Sequence, residues 1–132
     1  MDAGKYHPFP AGYKQAIVAS DGHDTVLSAI PDIASGRIWP GAFARVRRNE
    51  FVKEWSGQEG ELRRRREDVR KGLAAARAAG DAERGSLLIG QDAGLVDSIE
   101  LAGVLVAGLA ADAERVLAGA SRYIVDGRTP SA

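Results

Sequence analysis

At 132 residues the chain allows one modest domain with a single core. Its 18 lysines and arginines balance 18 aspartates and glutamates, so no net charge argues for a nucleic-acid partner or a membrane surface. The absence of cysteine excludes a disulfide framework, a thiolate metal site and a cysteine nucleophile. No run approaches the ~18 apolar residues of a membrane span. The N-terminus is polar and broken by proline, unlike a signal peptide, and a cytoplasmic location is expected.

Residues 1–11 carry Gly4, Pro8 and Pro10 without periodicity and read as an irregular arm. Residues 13–20 suit a short helix, ended by Asp21-Gly22. Residues 25–30 are β-branched and apolar, which predicts a short strand closed by Pro31. Ser35-Gly36 and Pro40-Gly41 frame a loop around Trp39. Phe43, Val46, Phe51 and Trp55 recur at helical spacing, which predicts a helix over 42–55 that Gly57 breaks. Residues 59–79 are mostly good helix formers and predict one helix, stopped by Gly80-Asp81. Residues 86–89 form a short apolar approach to the turn at 90–94. The longest helix is expected next, capped by Asp97 or Ser98 and running to Leu117 or beyond. Its apolar residues exceed one face, so burial on more than one side is expected. The fold class is mainly α with one or two short strands. Residues 12–124 form the helical region, and 125–132 a polar tail.

The loop Gly90-Gln91-Asp92-Ala93-Gly94 is the local candidate for a site. Two glycines four apart let the backbone approach a ligand and adopt positive φ. Gln91 offers both a donor and an acceptor. The alternative is a helix-entry turn in which Gln91 satisfies backbone groups. The spacing is not that of a P-loop, and no Lys-Ser/Thr follows. The Arg63-Arg64-Arg65-Arg66 run spreads around a helical turn among Glu59, Glu61, Glu67 and Asp68, which favours a solvated face over a nucleic-acid stripe. His7 and His23 sit beside Pro8 and Asp24 without metal spacing, and neither is assigned a catalytic role. No metal site is expected.

Three stretches carry a resemblance. They are Ala11-Gly12-Tyr13-Lys14-Gln15-Ala16; the segment from Trp39-Pro40 to Trp55 with Arg45, Arg48, Asn49, Phe51 and Glu54; and Ile89-Gly90-Gln91-Asp92-Ala93-Gly94-Leu95. In this order the chain resembles the C-terminal third of the nitronate monooxygenase (2-nitropropane dioxygenase-like) family of FMN flavoenzymes. Arg47 departs from that pattern, because an aliphatic residue is usual there. The resemblance implies the helical end of an FMN-binding (β/α)₈ TIM barrel, which needs about 250 residues, so most of the barrel is absent. It implies oxidation of alkyl nitronates by FMN and dioxygen in the parent enzyme. It also implies that the loop of Gly90, Gln91 and Gly94 lies on the flavin side, as the cofactor-binding candidate. Family members carry a Gly-Thr phosphate-binding strand end just before this region, and here residues 1–10 stand in its place. The chain alone is therefore expected to hold no FMN and to be inactive. The alternative is a non-catalytic helical module that self-associates or completes a separately encoded barrel.

Overall fold

The computed structural model describes residues 9–37 and 39–120. The sequence expectations for residues 1–8 and for the tail lie outside the described residues. The chain divides into two units, Met1–Ile99 and Glu100–Ala132.

In the first unit α1 (Ala11–Val18) precedes β1 (Thr25–Ser28), α2 (Ile30–Ser35), β2 (Ala44–Arg47), α3 (Glu50–Trp55), α4 (Glu59–Arg64) and α5 (Arg66–Ala79). A 3₁₀ turn, Gln91–Leu95, follows. Among the described residues the fold is mainly helical with one two-stranded antiparallel sheet, which pairs Val26 with Val46 and Leu27 with Arg45. Leu88 adds a single antiparallel bridge to Val46.

Several local expectations are corrected. The helix expected over 42–55 is a strand followed by a helix. Residues 44–47 alternate between core and outer face, and only Val46 is fully buried, so a period of two wins there. Asn49 then opens α3 as its cap, with Oδ1 accepting from the Val52 N–H at 3.0 Å. Ile30 does not extend β1 but starts α2, where Pro31 occupies the first turn and loses no intrahelical bond. The helix expected over 59–79 is interrupted at Arg65, whose ψ of 12° lies outside the helical range. Gly80 stops α5 in the left-handed conformation (φ 69°), as its place in the sequence predicts.

The main core joins Ile30, Ile33 and Ala34 of α2, Val46 of β2, Phe51, Val52 and Trp55 of α3 and Leu62 of α4. A second cluster packs Tyr13 and Ala16 of α1 against Leu87.

The second unit contains α6 (Ala102–Gly119). Its cap is Leu101 and not Asp97 or Ser98, and no side chain bonds there. None of its residues is buried, which corrects the expectation of burial on more than one side. Among the described residues no helix is long and apolar enough to cross a membrane.

Candidate functional site

The 90–94 loop is positioned by two anchors in the first unit. The first is segment 82–88, which is laced to 47–51. Asn49 is wholly buried, and its Nδ2 donates to the Ala82 and Gly85 carbonyls, both at 2.7 Å. The Phe51 N–H donates to the Glu83 carbonyl at 3.0 Å, and the Arg47 N–H to the Leu87 carbonyl at 2.9 Å. With its cap bond to Val52, Asn49 uses both ends of its amide, so a buried polar side chain carries no unmet bond. Tyr13 closes the other side: a Cβ on Gly85 would collide with its hydroxyl. Burial pushes the Tyr13 hydroxyl pKa up, and Asp81 adds to this against the opposing charge of Arg77.

The second anchor is the turn after α1. Gly22 (φ 79°) has no room for a Cβ because the Gln91 carbonyl oxygen lies there. A Cβ on Gly94 would come within 2.5 Å of the Asp21 carbonyl oxygen. The close backbone approach permitted by these glycines is therefore made to the chain's own turn. Neither Gly90 nor Gly94 takes positive φ, contrary to the sequence expectation. The space beside Gly90 is held by the Asp92 carboxylate. The clearances at Gly22 and Gly94 are taken up by backbone atoms of the chain itself. Gln91 and Asp92 are exposed, as is His23. Among the described residues, the Gln91 side-chain amide has no protein hydrogen-bond partner.

An ion ladder stiffens the same region. Arg47 Nε donates to Asp24 Oδ2 at 3.0 Å, and its Nη1 meets Glu83 Oε1 at 2.9 Å. The Ser20 hydroxyl donates to the other Asp24 oxygen. Partial burial pushes the Asp24 carboxyl upward, but the bonds from Ser20 and Arg47 and the guanidinium charge outweigh it and hold the pKa below its ordinary value. Arg47, the residue that departs from the family pattern, thus supplies the ion pairs. Sequence reasoning missed it, although Asp24 and Glu83 both lie in turn-like segments.

The remaining motif residues take structural places. Arg45 donates to the Thr25 hydroxyl at 3.2 Å, while the Arg48 side chain is exposed and its N–H bonds the Asp24 carbonyl. Glu50 is paired by Lys53, at 2.8 Å. In the arginine run, Arg64 pairs with Glu61 at 2.7 Å, and Arg65 lies over the Trp55 ring at 5.7 Å. Lys14 is exposed on α1, and His23 donates its backbone N–H to Asp21. Among the described residues no three His, Asp or Glu side chains are grouped to hold a metal. An open groove of about 950 Å³ lies between α3 and α5, floored by Trp55, Val69 and Leu73 and rimmed by charges of both signs.

No family model and no curated protein matches the sequence. Among solved structures, the chain is similar to FabK from Thermotoga maritima, with a TM-score of 0.64 and 29% identity over 86% of this chain and 34% of that one. A point mutant of the same FabK matches with a TM-score of 0.61 and 27% identity, over 89% and 32% of the two chains. The chain spans about a third of the length of these structures. The likeness supports the sequence resemblance at the level of the superfamily that FabK shares with nitronate monooxygenase, and not at the level of nitronate oxidation.

Proposed function

We propose that the chain is the C-terminal helical region of an FMN-dependent TIM-barrel flavoenzyme of that superfamily. The likeness to FabK, at 29% identity over 86% of the chain, is the observation that carries this reading. In the parent enzyme the barrel would hold FMN, which supplies the electron transfer. This region would contribute the Gln91 loop to the mouth of the site. Its role is to present an exposed amide from a loop fixed by Asn49 and the Gly22–Gly94 contact, so that little order is lost when a ligand is engaged. The reaction we assign is flavin-dependent redox chemistry, with nitronate oxidation as the finer alternative drawn from the sequence. The cytoplasmic setting belongs to the same proposal. The experiment replaces the corresponding third of Thermotoga maritima FabK with this chain. A folded chimera that retains yellow flavin supports the reading, and a folded chimera without flavin overturns it.

A second reading has its own observation. The bare apolar side chains of α6 favour a helical interaction module, which would bind a separately encoded barrel or a second copy.

A further inference from the structure

Helix α6 exposes apolar side chains in an ordered pattern. At 100° per residue, its large aliphatic residues from Leu105 onward share one arc about 120° wide with Ala102, Ala113 and Ala120. Leu105, Val106, Leu109, Val116 and Leu117 in this arc are 49% to 73% exposed. Asp112, Glu114 and Arg115 lie outside it, and Asp112 and Arg115 pair with each other.

Three pairs of positions in the arc carry the same residue at equal distances before and after Ala111. Ala102 and Ala120 stand nine residues away on either side, Leu105 and Leu117 six, and Val106 and Val116 five. Two residues away, Leu109 is matched by Ala113.

We propose that α6 is a self-complementary dimerisation helix, which pairs antiparallel with α6 of a second copy about a two-fold axis at Ala111. An isologous contact requires one patch to match itself. An antiparallel two-fold sets each position before Ala111 against the position equally far after it. The Leu105-Val106 pair of one copy then lies over Val116-Leu117 of the other. Leu109 fills the space opposite the partner's small Ala113, and the terminal alanines let the backbones close. A parallel pair would set Leu109 on Leu109 and leave a gap at Ala113, which close packing disfavours. It would also align the two helix dipoles.

Surface area sets the strength. A valine or leucine side chain offers roughly 60–120 Å² of apolar surface. Five of them, about two-thirds exposed on each of two copies, bury on the order of 400–800 Å². Stable complexes bury about 1,200–2,000 Å². The pair is therefore a weak, reversible dimer and not a permanent one. This inference does not rest on the flavoenzyme reading.

The test uses the full chain, which contains no native cysteine to interfere. Chains carrying Leu105→Cys alone and Val116→Cys alone are mixed under mild oxidation. The expected result is a disulfide between the two variants in the mixture and little within either variant alone. Efficient cross-linking of either variant to itself indicates a parallel pair and overturns the proposal. Sedimentation of the unmodified chain should show its average mass rising with concentration. A chain that stays monomeric, whether or not it binds anionic phospholipid vesicles, overturns the proposal as well. Leu109→Asp should abolish the mass increase, with helix content checked by circular dichroism, while Val104→Asp outside the arc should leave it in place.

Discussion

The Asn49 side-chain amide donates to the Gly85 carbonyl at 2.7 Å across 36 residues of sequence, and so fastens the start of α3 to the segment that leads into the Gln91 loop. Asn49→Ala removes this bond, its twin to Ala82 and the cap on Val52. A lost cap costs about 1 kcal/mol, the buried Gly85 carbonyl left unmet about 1–3 kcal/mol, and the part-buried Ala82 carbonyl about 1 kcal/mol. The expected loss is therefore roughly 3–5 kcal/mol in urea unfolding. A loss below about 1 kcal/mol would show that water or a shifted backbone replaces the amide.

Gly22 and Gly57 share a φ of 79°, but only Gly22 is crowded by another backbone. Gly57→Ala should cost only the left-handed strain, about 1–2 kcal/mol. Gly22→Ala adds a collision with the Gln91 carbonyl and should cost clearly more. Paired thermal melts decide this, and equal losses would show that the two loops separate without penalty.

Stability should carry an acid limb from Asp24. Its pKa is lowered in the folded state, so its contribution is complete above the unfolded value of about 3.9. The contribution is lost as pH falls through the lower folded value. Because Asp24 and Arg47 are partly exposed, we expect about 1 kcal/mol. Asp24→Asn should be less stable near neutrality and show a flatter decline below about pH 4. An unchanged decline would place the acid sensitivity elsewhere.

Gln91→Ala should leave the melting of this chain within about 0.5 kcal/mol, because the side chain is exposed. In a flavin-holding chimera the same change should lower turnover, since losing one well-placed polar contact costs about 1–3 kcal/mol. Early melting with normal turnover would make the loop purely structural.

The chain's punctuation was more legible than its periods. Gly80 marks the end of α5, and the 90–94 turn falls where its residues indicate. The helix expected over 42–55 failed because Phe43, Val46, Phe51 and Trp55 happen to fit helical spacing. The stronger signal was Asn49 directly before Glu50, a cap that required the chain to be non-helical just upstream. Pro31 suits a strand stop and a helix start equally, and the fold uses it as a start. At the site, Gly94 lies against the backbone of Asp21 and Gly22, a contact that the loop's own residues do not announce. A single sequence does not reveal that Gly22 and Gly94 press against opposite sides of one junction, since that pairing spans seventy residues. The Arg47 ladder was hidden for the same reason: its partners lie 23 and 36 positions away.

The reach of Asn49 also bears on the order in which the protein is made. Its bond to Val52 is local and available once α3 has been synthesised, while its bonds to Ala82 and Gly85 must wait for both later helices. Chains are synthesised from the N-terminus at about 5–20 residues per second. The Asn49 amide therefore lacks two of its three partners for roughly 2–7 seconds while α4 and α5 are translated. A ribosome pause placed just after residue 85 has left the exit tunnel would give this contact time to close before the apolar stretch of α6 appears.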